Sequence, residues 1–176
     1  VLYRGCRVSD LGLAVVLNQS ATITTAVVGE SVENYSYPVG STTSSATTTE
    51  MMVPTIGSMK DADTAQTILT DYNLQLANGM EPLFSLFQRD AYAVQNGIFQ
   101  ASGSMSAYMP DSTLLDKFLD ETETDHIVKL QDLDGNWFRF ILPDVLYTQL
   151  SDPVSGPGAH ILNYSFSAGY ETPGTV

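Results

Sequence analysis

The chain has 176 residues, with 7 basic residues against 20 acidic ones and a formal net charge of −13. This length suits one domain with a substantial core, so we expect residues 1–176 to form a single unit. The few Lys and Arg residues are scattered, which excludes the clustered cations of a nucleic-acid-binding surface. The only cysteine, Cys6, excludes an intrachain disulfide and a cysteine-based zinc site. Cys6 lies in an apolar stretch, where we expect it to be a small buried filler.

Three strands are predicted at the start of the chain. Val1–Val8 and Leu11–Leu17 have strand character, Ser9-Asp10 between them is interpreted as a tight turn, and Ala21–Val28 alternates between two faces. The apolar run Leu11–Leu17 is too short to span a bilayer, so no membrane partner is expected. Because the chain begins in strand-like sequence with valine rather than methionine, we expect it to be the later part of a longer protein.

Residues 30–60 form a Ser/Thr-rich stretch with little hydrophobic periodicity. A structureless segment of this length is uncommon inside a compact domain, so we expect either a disordered linker or a long loop that orders against a partner. Because it contains aromatic and apolar side chains, this segment can pack against another protein surface better than a plain Gly/Ser spacer can. These residues are Tyr35, Tyr37, Met51, Met52 and Val53.

The middle of the chain contains two long strands and one helix. Residues 67–76 alternate as a half-buried strand does, Asn78-Gly79 predicts a turn, Glu81–Asn96 is irregular, and Phe99–Met109 is a second alternating strand. A short helix is predicted at Asp111–Glu121, with Asp111 as its N-cap, lying on the sheet and covering an edge or an end. Its apolar side consists of Leu114, Leu115, Phe118 and Leu119.

A hairpin is predicted at His126–Pro143, with a two-residue turn at Asp134-Gly135. Val128 and Leu130 on one arm face Phe138, Phe140 and Leu142 on the other. Pro143 is expected to end the second arm, and further strands follow at Val145–Leu150 and around residues 162–168. With about eight strands, the chain is predicted to be mostly β: a β-sandwich or flattened barrel with one flanking helix and one long Ser/Thr-rich loop.

No catalytic, cofactor or metal site is predicted. His126 and His160 are the only histidines, and no nucleophile motif accompanies either, so both are interpreted as structural. Asp132–Asn136 resembles a calcium loop superficially, but its glycine comes too early and Pro143 holds the closing position. The acidic run Asp120–Asp125 is interpreted as a solvated loop.

Four segments carry a pattern in their order and spacing. They are YRGCRVSDLGLAV (residues 3–15), LQLANGMEPLFSL (74–86), GSMSAYMPDSTLLDKFLDETET (103–124) and LPDVLYTQLSDPVSGPGAHILNYSFSAGY (142–170). Taken together, they resemble the phage tail tube proteins of long-tailed bacteriophages, over nearly the whole chain apart from the Ser/Thr tract.

The resemblance implies a structural virion protein, the major tail tube subunit, which forms rings (a hexameric ring is expected) that stack into a hollow tube for genome delivery. Expected partners are copies of itself, other tail proteins at the tube ends, and passing viral DNA that is not bound specifically. The expected location is the virion tail, after assembly in the host cytoplasm. The loop at residues 30–60 is then the predicted contact between stacked rings, and the helix either bridges subunits or covers the end of the sandwich. A negatively charged wall would not trap DNA.

Two other functions are weighed against the tube. A carbohydrate- or receptor-binding virion module would need an exposed aromatic platform, for which Trp137 is the candidate, although it alternates with Phe138, which is predicted to be in the core. A hydrolase would depend on His126 or His160 and ranks last.

Overall fold

The computed structural model describes residues 2–33, 52, 56–109, 112–152 and 160–169. Most of these residues lie in strands, and they include one short helix. The prediction of a mostly-β fold with one short helix is therefore confirmed. The strands are β1 (Leu2–Arg4), β2 (Arg7–Val16), β3 (Thr22–Val28), β4 (Ser31–Glu33), β5 (Ser58–Asp61), β6 (Thr64–Ala65), β7 (Leu69–Ala77), β8 (Glu81–Leu83), β9 (Ala93–Gln95), β10 (Gln100–Tyr108), β11 (Thr124–Gln131), β12 (Trp137–Ser151) and β13 (Ile161–Ala168), and the helix is α1 (Thr113–Leu119).

Nine of the strands form one antiparallel sheet in the order β3-β2-β7-β10-β13-β12-β11-β5-β6. Strands β3 and β6 are its two edges, so the sheet does not close into a barrel. Of the two architectures expected from the sequence, the open one is observed. Two small sheets, β1-β4 and β8-β9, lie apart from it.

The long strand β12 allows the sheet to fold over on itself. Its first part pairs with β11, and its later part, from Val145 onwards, pairs with β13. The register shifts at Pro143 and Asp144, where Asp144 has a φ of 49°. Proline cannot donate a ladder hydrogen bond, but a bulge tolerates it. The expectation that Pro143 ends the strand is therefore wrong, because β12 runs through it.

The fold produces two facing layers. We call β3, β2, β7, β10, β13 and the later part of β12 the wide layer, and the first part of β12 with β11, β5 and β6 the narrow layer. The two layers meet at His126 of β11, whose ring centroid lies 4.9 Å from that of Phe166 and 6.0 Å from that of Tyr72. The alternating apolar faces predicted for β7, β10 and β13 are mostly turned to the core. Phe99, predicted on the same face as Ala101 and Met105, is an exception: it precedes β10 and is 57% exposed. The buried apolar core contains Leu13, Met59, Tyr72, Leu74, Ala101, Met105, Ala107, Leu114, Val128, Leu130, Leu142, Val145, Tyr147, Leu162, Tyr164 and Phe166.

The N-terminal part of the chain differs from the prediction. Strand β2 runs without a turn, because Ser9-Asp10 is accommodated as a bulge against β3. Ser9 is buried, its hydroxyl donates to the Asp10 carboxylate over 2.7 Å, and its carbonyl accepts from the Asn78 N–H over 2.7 Å. Cys6 is exposed rather than buried, since Gly5, with a φ of 62°, turns the chain between β1 and β2.

Two connections also differ from the prediction. Glu81–Asn96, predicted to be irregular, contains the hairpin of β8 and β9. The β11-β12 hairpin turns through residues 132–136 instead of two residues, because Asp132 closes a wider loop: its Oδ1 accepts from Asn136 N over 2.7 Å and its Oδ2 from Asn136 Nδ2 over 2.8 Å. These bonds to Asn136 hold the pKa of the Asp132 carboxyl below its ordinary value.

Helix α1 is shorter than the predicted span Asp111–Glu121. It begins after Ser112, whose hydroxyl donates to the Asp116 carboxylate over 2.8 Å instead of capping the backbone. Asp111, the predicted N-cap, lies outside the described residues. In the part of the chain that the structure describes, no helix is long and apolar enough to cross a membrane.

Gly103 of β10 lies where the packing leaves no room for a side chain. A Cβ there would be 2.2 Å from the Asn73 carbonyl oxygen and 2.4 Å from Cζ of Phe166. We expect Gly103→Ala to lower the free energy of unfolding by about 1–3 kcal/mol, measured by urea denaturation. Gly12→Ala is the matched control, because the nearest atom would be 4.0 Å away, and its effect should stay within about 0.5 kcal/mol. Equal losses in the two variants would contradict this explanation.

Candidate functional site

The outward face of the wide layer forms a shallow trough of about 560 Å³. This face lies opposite the core, because side chains of a strand alternate between its two sides. None of the described residues that line the trough is charged. The register places Asp10 and Asp71 on the same face, towards opposite ends of the strands. The polar lining residues are Thr22, Thr24, Asn73, Gln75, Ser102, Ser104, Thr148, Ser165 and Ser167.

The outward face of the narrow layer has a different character. Lys129 of β11 is the register neighbour of Arg139 on β12, and Lys60 lies on the adjacent strand β5. This face therefore holds three of the chain's 7 basic residues. Lys129 Nζ lies 5.8 Å from the Trp137 ring centroid and 3.0 Å from Gln131 Oε1, and both contacts offset its repulsion by Arg139. The two outward faces thus differ sharply in charge.

Trp137 is exposed, as a binding platform would require, but it is not alone. Phe138, predicted to be in the core, has the same exposed fraction of 56%. That prediction is wrong because Phe138 lies beside the hairpin connection at residues 132–136, beyond the closely packed part of the narrow layer. Its predicted cross-strand partner is confirmed, since Leu130 and Phe138 are paired in register.

A network of buried polar side chains crosses the narrow layer and was not predicted. Asp61 of β5 is fully buried, and its Oδ1 accepts from Lys117 Nζ of α1 over 2.7 Å and also from Thr124 Oγ1. Its Oδ2 accepts from the Tyr147 hydroxyl of β12 over 3.1 Å. Among the described residues, every buried side-chain nitrogen and oxygen has a hydrogen-bond partner. We call Asp61, Lys117, Thr124, Tyr147 and the residues that extend them the Asp61 network.

His126 and Tyr72 extend the Asp61 network to the wide layer. Because the Tyr147 hydroxyl donates to Asp61, it accepts from His126 Nε2 over 3.0 Å, and His126 Nδ1 then accepts from the Tyr72 hydroxyl over 3.3 Å. Since one ring nitrogen of His126 donates and the other accepts, its imidazole is neutral. Burial lowers the pKa of His126 to about 4, although the Asp61 carboxylate acts in the opposite direction. Burial also raises the pKa of both tyrosine hydroxyls, so the rings in this network are uncharged at pH 7.

The second histidine, His160, is exposed and has no hydrogen bond to this network among those observed in the described residues. His160 Nε2 contacts the Asp152 carboxylate at the protein surface. Over residues 2–33, 52, 56–109, 112–152 and 160–169, no group of three or more His, Cys, Asp or Glu side chains could hold a metal ion. The two histidines thus have different hydrogen-bond partners, and neither has a metal-binding set around it in these ranges.

The predicted assembly loop at residues 30–60 is described at its two ends. Strands β4 and β5 occupy these ends, which the sequence did not predict. Met52 packs against the core, and its carbonyl accepts from the Ala21 N–H over 3.1 Å. The other predicted contact residues lie outside the described residues: Tyr35, Tyr37, Met51 and Val53.

The four apolar residues predicted on the helix divide into two groups. Leu114 is buried, and Phe118 and Leu115 are partly buried, so these three cover the sandwich of their own chain. Leu119 is 65% exposed and is the one of the four that remains at the surface. The sequence reading missed Lys117, which links the helix to β5 through Asp61.

The chain is similar to known proteins in both sequence and fold. A family model described as Phage tail tube protein matches residues 1–168. Among solved structures, the chain is similar to the anti-feeding prophage cap, a tube terminating cap seen by cryo-electron microscopy, with a TM-score of 0.52 and 8% identity over 71% of this chain and 91% of that chain. At that identity the likeness shows the fold alone, and no curated protein matches the chain. Because the family model covers nearly all of the sequence, the chain belongs to the phage tail tube protein family and is a structural component of a virion tail.

Proposed function

We propose that this chain is the major subunit of a hollow tail tube, in which subunits form hexameric rings and the rings stack. Membership of the family already implies assembly with copies of itself and with other tail proteins. The trough of the wide layer forms the wall of the bore, through which the viral genome passes to the host. The role is mechanical and involves no catalysis, and the subunits assemble in the host cytoplasm before they become part of the virion.

The observation that carries this proposal is the uncharged lining of the trough. Proteins bind DNA mainly through Lys and Arg side chains that neutralise phosphates and release counterions. A wall of hydroxyl and amide groups is hydrated but offers no such attraction, so DNA can slide along it. The cations Lys60, Lys129 and Arg139 lie on the other layer's outward face, where they would face away from the bore.

The two sheet edges support lateral contacts within a ring. An edge strand carries backbone N–H and C=O groups that can pair with another strand. Strand β3 is seven residues long, and its Ile23 and Val27 side chains are 43% and 56% exposed. When a contact joins two unlike surfaces and repeats from subunit to subunit, it closes into a ring if the rotations between neighbouring subunits add up to a full turn. The exposed Leu119 of α1 is a further lateral contact in this proposal, whereas the loop at residues 30–60 contacts the next ring of the stack.

Placing cations in the trough tests its assignment to the bore. We expect tubes of the double variant Ser104→Lys/Ser165→Lys to retain short duplex DNA that survives added nuclease, because the DNA is held inside. Retention should fall steeply as salt is raised from 50 to 200 mM, as counterion release requires. The measurement is the amount of DNA that pellets with the tubes after digestion, with the tubes checked by negative-stain electron microscopy.

The matched control is Leu133→Lys at the tip of the β11-β12 hairpin, where the side chain is 72% exposed. Tubes of this variant should bind DNA only on their outer surface, where nuclease digests it. Protected DNA in the control, or none in the double variant, would show that the trough does not face the bore. Failure of the unmodified chain to form rings or tubes would contradict the proposed function as a whole.

A further inference from the structure

One end of the sandwich carries an unusual group of exposed apolar side chains. We call Glu81–Phe99, which contains β8, β9 and the loop between them, the aromatic hairpin. Leu86 is 85% exposed and Phe87 is completely exposed. Contiguous exposed apolar surface on a protein marks an interaction site more often than isolated apolar residues do. The other exposed apolar side chains of the aromatic hairpin are Leu83, Phe84, Tyr92, Ile98 and Phe99.

The aromatic hairpin is held firmly at its base. The Asn78 amide Nδ2 donates to the Val8 carbonyl over 2.9 Å, and Arg7 Nη1 donates to Asn96 Oδ1 over 2.9 Å. Phe87, at the far end, has a φ of 67°, a left-handed conformation that costs energy in a bulky residue. Such strain is typical of positions where function keeps a particular side chain. A hairpin with a hydrogen-bonded base and an exposed, strained phenylalanine at its far end is suited to insert that side chain into another protein surface.

The opposite end of the sandwich has an apolar cavity of about 190 Å³ between the two layers. The register defines the two ends: Ala77 is paired with Gln100 beside the aromatic hairpin, and Asp71 is paired with Val16 beside the cavity. A cavity of about 150 Å³ is large enough to hold benzene, so this one admits one phenyl ring. Its apolar lining includes Val15, Leu17, Met59, Leu69, Val128 and Leu130.

We propose that the aromatic hairpin of one copy docks into the interlayer cavity of a second copy, with the Phe87 ring inside the cavity. This inference rests on the proposed function and assigns a second contact between successive rings, besides the one proposed for the loop at residues 30–60. Because a hairpin at one end meets a cavity at the other, the contact is head-to-tail and repeats without closing. An aromatic side chain buries about 150–250 Å² in an interface. Three of the four exposed aromatic side chains of the aromatic hairpin would therefore supply more than half of the roughly 800 Å² that each partner buries in a stable interface.

Disulfide trapping tests the contact directly. In the full chain with Cys6→Ser, we expect a copy with Phe87→Cys and a copy with Leu17→Cys to form a covalent dimer when mixed and mildly oxidised. Neither variant alone should form it, because the two cysteines lie at opposite ends. Absence of the mixed dimer would overturn the proposal, and so would equal dimerisation of Phe87→Cys alone, which would mean that two hairpins meet each other.

An assembly measurement separates this inference from the proposed function. Phe87→Asp should raise the concentration needed for tube formation about thirtyfold, the effect expected of an interface hot spot. Leu133→Asp, at an exposed position on the other hairpin tip, is the matched control and should leave that concentration unchanged. If the unmodified chain and Phe87→Asp form tubes equally well, the docking inference is wrong while the tube function stands. If the unmodified chain forms no tubes, the tube function fails, and the trapping experiment still decides whether the two surfaces meet.

Discussion

Asp61→Ala should lower the free energy of unfolding by about 3–5 kcal/mol, a large part of the 5–15 kcal/mol that stabilises a typical domain. The Asp61 carboxylate is fully buried and accepts from Lys117, Thr124 and Tyr147. Its removal leaves an ammonium and two hydroxyl groups without their acceptor, and unpaired buried polar groups are strongly destabilising. The measurement is urea denaturation at a protein concentration low enough to keep the chain unassembled, since assembly adds apparent stability.

Two variants check the cause of that loss. Glu123→Ala, at an exposed position one residue before Thr124, should change the free energy of unfolding by no more than about 0.5 kcal/mol. The double variant Asp61→Asn/Lys117→Met should lose less than the sum of its two single variants, because it leaves neither charge without a partner. Additive losses, or a loss below about 1 kcal/mol in Asp61→Ala, would mean that the Asp61 network does not hold α1 and β5 together.

Sequence periodicity predicted the wide layer well. In β7, β10 and β13, one apolar residue in every two faces the core, and this signal survives because each strand has one buried and one solvated side. The same signal failed at Ser9-Asp10 and at Pro143, where turn-forming residues lie inside continuous strands. At both places the sheet forms a bulge, and a bulge depends on the pairing of distant strands, which a local pattern does not contain.

The Asp61 network and the aromatic hairpin depend on distant contacts in the same way. His126 shares its alternation with the inward-facing Val128 and Leu130, so its burial could have been predicted from that pattern. The rest of the network could not be predicted, because Tyr72, Asp61 and Tyr147 come from three other strands that meet only in the fold. The irregular pattern of Glu81–Asn96 did not predict where Phe84 and Phe87 lie, and the structure exposes both. Hydrophobicity alone does not distinguish a core residue from an interface residue.

Stability should depend on pH through His126, with a loss of about 3 kcal/mol as the pH falls from about 7 to 4. Burial lowers the pKa of His126 from 6.5 to about 4 in the folded chain, while the unfolded chain keeps the ordinary value. Between these two values the unfolded chain binds more protons than the folded one, so acid favours unfolding. This contribution is fully present above pH 6.5, declines from there to about pH 4, and then remains constant.

The change that isolates His126 is His126→Gln, which keeps one donor and one acceptor but does not titrate in this range. Its free energy of unfolding should be lower than that of the unmodified chain at pH 7, and its decline between pH 7 and 4 should be smaller by about 3 kcal/mol. His160→Gln is the matched control: His160 is exposed, and its replacement should leave the decline unchanged because His126 is intact. Urea denaturation across this pH range provides the comparison. An equally steep decline in His126→Gln would show that other groups cause the acid sensitivity, and that a proton on His126 is accommodated within the folded network without cost.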